Sequence, residues 1–312
     1  MFQKIIVPLD SSDLSERALS VASSIAKAVG GSVSICSSID PNDQAKFNAY
    51  WALGGDMDSG IAALPPEGLV RTEEERRSEM EQYLSKIKAD NANLSGSDSS
   101  VLTGTPADEI LAYAHSQNAG LIVMSSRGRS GIVRGVLGSV TDKLLRSADI
   151  PVIVVPSEYE AHSGEAITLI VPLDGSKRSE SALTAALPLA SQIGATVKVL
   201  HFVQMESRYA GMPFNEIGPM KADIDDLTAL ASAYLDDVCK RNETDGVTLE
   251  AEVVIGYPAS HISEYSQNVS NGIVVMTSHG RSGLKRMLMG SVTDATLRNS
   301  DAPVMVVPAI EE

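Results

Sequence analysis

Residues 5–10 read IIVPLD, and residues 169–174 repeat that stretch as LIVPLD. Two further stretches return in the same order: GSVTD at 138–142 and 290–294, and PVIVVP at 151–156, which becomes PVMVVP at 303–308. Internal similarity of this kind is the signature of a structural unit written more than once. The chain therefore holds two copies of one unit, and its 312 residues suit two domains of ordinary size.

Each copy alternates short apolar runs with amphipathic segments. The runs of the first copy are rich in Val and Ile without strict alternation, which is typical of parallel strands covered on both faces. They lie at 4–9, 32–38, 99–103, 120–125 and 151–155. Helical periodicity fills the intervals at 13–29, 72–90, 106–117 and 139–147. This alternation predicts an α/β fold of two tandem doubly wound, Rossmann-like domains, each with a five-stranded, mainly parallel sheet.

The repeat also sets the domain boundaries. We predict a first domain at 1–156, a polar linker at 157–166 and a second domain at 167–312. The first copy carries a longer insertion at about 41–71, which is rich in Gly, Asp and Pro. A loop of this length is typically either a lid or a segment without regular structure, and the sequence leaves both alternatives open.

Composition and charge narrow the function classes. The formal net charge is −15, which opposes binding to nucleic acid and to anionic membrane surfaces. The sequence contains no apolar run of the roughly 18 residues that a membrane-spanning helix needs, and it reaches Lys4 too early for a signal peptide. The two cysteines, Cys36 and Cys239, have no CxxC spacing, which argues against a disulfide framework. Cytoplasm is the expected location.

A glycine-containing loop follows the fourth strand of each copy. Residues 124–139 read MSSRGRSGIVRGVLGS, and residues 276–291 read MTSHGRSGLKRMLMGS. Glycine at the carboxyl end of a strand lets the backbone approach a ligand, and the helix that GS opens presents N–H groups that favour an anion. Ligands of open α/β sheets bind at this edge. The pattern predicts a phosphate-binding loop in each copy.

A purely structural interpretation of the same loop stays open. Ser139 with Asp142, and Ser291 with Asp294, have the spacing of a capping box at a helix start. Asp10 and Asp174 likewise follow the first strand of each copy, where each could cap the next helix or accept a hydrogen bond from a ligand.

Other chemistries lack their motifs. The chain has no GxxxxGK followed by Ser or Thr, and the turns at 10–13 and 174–177 lack GxGxxG, which argues against a Walker-type ATPase, a kinase and an NAD dehydrogenase. The histidines do not recur between copies and have no metal-ligand spacing. Neither a catalytic residue nor a metal ligand is predicted.

Taken together, the motifs resemble those of the universal stress proteins. The resemblance rests on the order VPLD, then GxP at 104–106 and 256–258, then MxSxGRSG, GSVTD and PVxVVP, and it covers both halves. The nucleotide-binding branch of that family implies the pattern Gly-x2-Gly-x9-Gly-Ser/Thr, which holds the phosphates and ribose of ATP. Ser125 and Thr277 stand where the family has its first glycine. A side chain there would either crowd the phosphates or donate its hydroxyl to them.

The resemblance implies a nucleotide site in each copy. In the first copy the implied residues are Pro8, Asp10, Ser38, Met124, Ser125, Gly128, Gly138, Ser139, Val140 and Thr141. In the second copy they are Pro172, Asp174, Phe202, Met276, Thr277, Gly280, Gly290, Ser291, Val292 and Thr293. Because Phe202 is bulkier than the family residue, we expect a tighter adenine pocket in the second copy.

The implied ligands are ATP, or AMP or ADP, with Mg²⁺ held through the phosphates. The implied role is that of an adenine-nucleotide-binding stress-response or regulatory protein. If the protein has enzyme activity, we expect at most slow ATP hydrolysis. The alternative is a nucleotide-independent interaction module of the same fold. The last strands, 152–155 and 304–307, resemble those through which such domains pair. This predicts an internal pseudo-dimer of the two copies, with pairing of two chains into a homodimer as a further expectation.

Overall fold

The computed structural model describes residues 1–42, 72–94, 96–127, 135–160, 166–204, 220–278 and 289–308. Most of the predicted insertion lies outside these ranges, and so do the loop glycines Gly128 and Gly280. Over the described residues the α/β fold is confirmed, and strands alternate with helices in both halves. The proposed linker and domain limits stay predictions.

The strands and helices follow each other in the predicted order. The strands are β1 (Lys4–Pro8), β2 (Ser32–Ile39), β3 (Asp98–Thr103), β4 (Leu121–Ser125), β5 (Val152–Val155), β6 (Thr168–Leu173), β7 (Thr196–Val203), β8 (Thr248–Ile255), β9 (Gly272–Thr277) and β10 (Val304–Val307). The helices are α1 (Asp13–Glu16), α2 (Ala18–Val29), α3 (Glu73–Asp90), α4 (Pro106–Ser116), α5 (Ser139–Ser147), α6 (Lys177–Glu180), α7 (Leu183–Ile193), α8 (Met220–Arg241), α9 (Pro258–Gln267) and α10 (Ser291–Asn299).

All these strands join one sheet, in the order β3-β2-β1-β4-β5-β10-β9-β6-β7-β8. Neighbours within each half are parallel, whereas β5 and β10 pair antiparallel. The two predicted five-stranded sheets therefore form one continuous sheet of ten strands. The halves join because β5 and β10 are the edge strands of their own halves, and an apolar edge with unpaired N–H and C=O groups pairs readily.

The seam between the halves has a pseudo-two-fold axis. Ile153 lies opposite Met305, which is its equivalent in the second copy, with Val154 opposite Val304 and Val152 opposite Val306. Both central side chains, Ile153 and Met305, are fully buried. The predicted internal pairing through the last strands is confirmed.

Two apolar cores sandwich the sheet, and each runs through both halves. One core contains residues of α2, α3, α7 and α8, and the other contains residues of α4, α5, α9 and α10. Alternate side chains of β5 and β10 enter opposite cores, as the two-residue period of a strand requires. Helices α2 and α7 also pack against each other across the seam.

One predicted helix is divided. The periodicity at 13–29 predicts one helix, but the structure has α1 and α2 with Arg17 between them, and α6 and α7 repeat the division in the second half. Ser12 is the N-cap of α1, and its side chain accepts from the Ser15 N–H. The apolar period continues through the break, which is why the sequence pattern does not reveal it.

Tyr159 ties the start of the predicted linker to both halves. Its hydroxyl donates to Asn271 Oδ1 at 3.2 Å, and its carbonyl accepts from Arg17 Nη1 at 3.3 Å. The ring is partly buried against the core that contains α2 and α7. Part of this polar segment is thus packed structure rather than a free tether.

Candidate functional site

A cavity of about 690 Å³ opens at the carboxyl ends of β6, β7 and β9. This volume is within the range of about 300–1,000 Å³ that ligand pockets usually have. The residues predicted for the second copy line it, apart from Gly280, which lies outside the described residues: Pro172, Asp174, Phe202, Met276, Thr277, Gly290, Ser291, Val292 and Thr293. Residues far apart in sequence thus meet at one edge of the sheet.

The predicted residues of the first copy take equivalent positions in their own half. Pro8 ends β1, Ser38 lies near the end of β2, and Ser125 ends β4 after Met124. Gly138 immediately precedes α5, whose first turn contains Ser139, Val140 and Thr141. The position of Gly128 is outside the described part of the chain.

Several lining residues of the second-half cavity were missed from the sequence. They are His201, Leu227, Leu230, Ala231, Tyr234, Pro258 and Ile262. Five of them lie on β7 or on the amphipathic helix α8, whose position relative to the loop only the fold reveals. One signal in the sequence could have identified His201. The first copy has Ser37 at the equivalent position, and a residue that differs between the copies indicates that their clefts differ.

The aspartates at the ends of the first strands hold the following turn. Asp10 Oδ1 accepts from the Ser12 N–H at 3.1 Å and from the Ser12 hydroxyl at 2.6 Å. Asp174 makes the same pair of bonds with Ser176, at 3.0 and 2.6 Å. The helix caps are the serines and not the aspartates, so the capping alternative for Asp10 and Asp174 is wrong in detail. Each aspartate instead orients the serine that caps.

The capping-box interpretation of the loop helices is also wrong. Helix α5 begins after Gly138 and α10 after Gly290, and neither N-cap has a side-chain hydrogen bond. Asp142 and Asp294 pair with an arginine one turn later, Arg146 at 2.9 Å and Arg298 at 2.8 Å. The N–H groups of the first turn therefore have no cap from the residues that the capping box would use.

The backbone conformation does not require glycine at the start of these helices. Gly138 has φ −62° and Gly290 has φ −60°, which any residue can adopt. A Cβ added to Gly138 would come no closer than 3.5 Å to its nearest neighbours, an ordinary contact. A side chain would thus fit the fold here, which leaves close approach by a ligand as a reason for the glycine.

The residues in place of the family's first glycine are buried. Ser125 is 6% exposed and Thr277 is 5% exposed. The Ser125 hydroxyl donates to the carbonyl of Arg127, so it is used to shape the start of its own loop. The backbone carbonyls of Ser125 and Thr277 accept from Thr141 at 3.2 Å and from Thr293 at 2.9 Å, which ties each loop to the helix after it.

Phe202 lines the cavity with a side chain that is mostly buried. The side chain is only 8% exposed and belongs to the core that contains α9 and α10. Most of the ring therefore packs inside the protein and part of it lines the cavity, and the tighter pocket in the second copy stays a prediction.

An aromatic wall of Tyr234 and His201 faces the cavity beside Phe202. The Tyr234 hydroxyl donates to Glu180 Oε1 at 3.1 Å, and burial together with that carboxylate raises the pKa of the tyrosine. Its ring meets His201 edge to face, with centroids 5.6 Å apart. Because the phenol remains protonated at neutral pH, this wall offers apolar ring surface to a ligand.

Two kinds of feature are absent from the described ranges, a metal-binding cluster and a membrane-spanning helix. There, no group of three or more His, Cys, Asp and Glu residues is placed to hold a metal ion. Over the same ranges, none of the helices is long and apolar enough to cross a membrane.

Cys36 should be chemically silent in the folded protein. Its side chain is fully buried at the centre of β2, and burial raises the pKa of the thiol to about 12. Because the thiolate is the reactive form, we expect Cys36 to be alkylated at pH 8 at least about 100-fold more slowly than a free thiol. Timed labelling with iodoacetamide and peptide mass spectrometry would measure this, with the partly exposed Cys239 as internal control. Equal labelling of both cysteines would contradict it.

Comparison with known proteins agrees with this arrangement. The sequence model of the Universal stress protein family matches residues 1–156 and 168–308. The chain is 32% identical over 200 residues to the universal stress protein Rv2005c of Mycobacterium tuberculosis, and the match covers 61% of this chain and 62% of that relative. It is 30% identical over 139 residues to the universal stress protein MJ0531 of Methanocaldococcus jannaschii, covering 45% of this chain and 80% of that one.

A solved structure resembles the whole chain. The crystal structure of a universal stress protein from Archaeoglobus fulgidus covers 98% of both chains with a TM-score of 0.61, at 19% sequence identity. At 19% identity, this similarity shows that the two chains share a fold. The sequence match in both halves goes further, and the chain belongs to the universal stress protein family, with one domain of that family in each half.

Proposed function

We propose that this protein is a stress-response or regulatory protein that binds an adenine nucleotide, ATP foremost and AMP or ADP as related ligands. The observation that carries the proposal is that the residues implied by the family resemblance converge on one cavity of suitable size. Phe202, Met276 and Val292 offer apolar surface for the base and sugar. Asp174 at the same cavity supplies carboxylate oxygens that can accept from a ribose hydroxyl or an adenine amine.

The phosphates would bind at the start of α10. Gly290 and Ser291 line the cavity there, and the helix begins without a side-chain cap. The first N–H groups of a helix point outward and carry partial positive charge, which favours a phosphate in a chain of net charge −15. Mg²⁺ would be held mainly by phosphate oxygens, the ligands it commonly keeps in nucleotide sites.

Retained nucleotide and thermal stabilisation test the proposal directly. Native mass spectrometry of the purified chain should detect a bound adenine nucleotide. ATP at about 100 times its Kd should stabilise the fold by about 2.7 kcal/mol, which corresponds to a Tm increase of roughly 5 °C or more. The proposal would be rejected if the purified chain retained no nucleotide and its Tm did not change with ATP, ADP or AMP.

Replacing Gly290 with Val should weaken ATP binding at least about tenfold. The backbone at φ −60° accepts the side chain, so the fold should lose only about 1 kcal/mol, while the new methyl groups would occupy the phosphate end of the cavity. Isothermal titration calorimetry measures the change in Kd, and urea unfolding of the same variant serves as the control. An unchanged Kd would show that the phosphates do not bind at the start of α10.

A nucleotide-independent interaction module is the second candidate. Leu227 and Leu230 at the cavity are 48% and 68% exposed, and exposed apolar side chains of this kind often mark contact surfaces. This candidate predicts a Tm that does not respond to nucleotides, so the experiment above decides between the two. Pairing of two chains stays a prediction.

A further inference from the structure

The two clefts can be compared residue by residue because α3 and α8 share a register. Each helix is followed by an asparagine whose side chain donates to the carbonyl four residues earlier, Asn91 to Ile87 and Asn242 to Val238, both at 2.8 Å. In the same register, Tyr83 donates to Glu16 at 3.0 Å and Tyr234 to Glu180 at 3.1 Å.

This helix register, together with that of β2 and β7, which begin at Ser32 and Thr196, pairs four positions of the first half with four of the second. Arg76 corresponds to Leu227 and Met80 to Ala231 on the helices. Ser37 corresponds to His201 and Asp40 to Gln204 at the ends of β2 and β7. All four second-half residues line the cavity.

In the first half these positions contact each other instead. The Ser37 hydroxyl donates to Met80 Sδ at 3.3 Å, and Arg76 Nη1 donates to the carbonyl of Asp40 at 3.3 Å. Both contacts join helix α3 to the end of β2. They lie at positions whose second-half counterparts on α8, Leu227 and Ala231, line the cavity.

The second half differs because its helix carries a short side chain at the decisive position. Ala231 ends at Cβ, whereas the Met80 side chain extends three heavy atoms further and reaches β2. Leu227 also replaces the guanidinium of Arg76 with an apolar group. The apolar side chains of Leu227 and Ala231 would therefore exclude water from the face of a planar base in the second half. The first half instead presents a guanidinium that is already bonded to a backbone carbonyl.

We propose that nucleotide binds in the second half alone, that Ala231 admits the base there, and that Met80 and Arg76 close the first cleft. The inference rests on the proposed function and adds to it a site, a stoichiometry and a specificity-determining residue. One adenine nucleotide per chain follows, although the family pattern recurs in both halves.

Calorimetric titration of the full chain with MgATP tests this. Wild type should bind one nucleotide per chain. Ala231→Met, which copies the residue of the first half, should weaken binding at least about tenfold, the factor that 1.4 kcal/mol of steric conflict produces. Met80→Ala is the matched variant in the other half and should leave the Kd within about twofold. The unfolding midpoint of each variant verifies its fold.

Two results would overturn the inference while leaving nucleotide binding in place. One is a stoichiometry of two nucleotides per wild-type chain, which needs no variant. The other is an unchanged Kd in a folded Ala231→Met protein. Wild type that binds no nucleotide at all would reject the proposed function itself, and this inference with it.

Discussion

Replacing Ile153 with Asp should strongly destabilise the folded state. Ile153 is fully buried in the middle of the ten-stranded sheet and lies opposite Met305, also fully buried, on the pseudo-two-fold axis. A carboxylate there would have neither water nor a cation, so the variant should lose at least about 4 kcal/mol of unfolding free energy. Urea unfolding followed by far-UV circular dichroism measures the loss.

A conservative variant separates the effect of a buried charge at position 153 from the effect of a changed side-chain shape. Ile153→Val keeps the apolar strand and should cost only about 0.5–1.5 kcal/mol. If Ile153→Asp were within 1 kcal/mol of Ile153→Val, β5 and β10 would not form the buried seam described above.

Replacing Gly104 with Ala should cost about 2–3 kcal/mol. Gly104 has φ +144°, a conformation that L side chains rarely adopt, and its counterpart Gly256 has φ +154°. A Cβ on Gly104 would lie 2.5 Å from Glu109 Oε1, so backbone strain and a steric conflict add together. Chemical unfolding of Gly104→Ala gives the total.

A double variant separates these two causes. Glu109→Ala removes the side chain that the new Cβ would meet, and Gly104→Ala combined with it should recover part of the lost stability. The remaining cost, about 1 kcal/mol or more, should be the strain of the positive φ. Full recovery in the double variant would show that only the contact with Glu109 matters.

The strands were predicted closely because their signal is local. The runs predicted at 120–125 and 151–155 correspond to strands Leu121–Ser125 and Val152–Val155, because a parallel strand buried on both faces carries consecutive apolar residues. The break at Arg17 escaped prediction because the apolar period continues across it. The joining of two sheets into one could be expected only from the family resemblance, since no local pattern states which strand edges meet.

For the candidate site too, residues on local motifs were predicted and residues that depend on the tertiary fold were missed. Asp174, Gly290 and Thr293 lie on motifs and were identified, and the structure brings them to one cavity. Ala231 and Leu227 were missed because they lie within a helix of ordinary amphipathic pattern, and their role depends on the strand opposite.

The antiparallel seam has a consequence for how the two halves can change. In a symmetric dimer of identical subunits, every substitution occurs twice, once on each side of the axis. Here the two sides of the axis belong to one chain and are encoded separately, so Met80 can stand on one side while Ala231 stands on the other. The covalent link also keeps the halves together at any protein concentration. Duplication has thus given this protein the geometry of a homodimer with the freedom of a heterodimer, in which one half can specialise without altering the other.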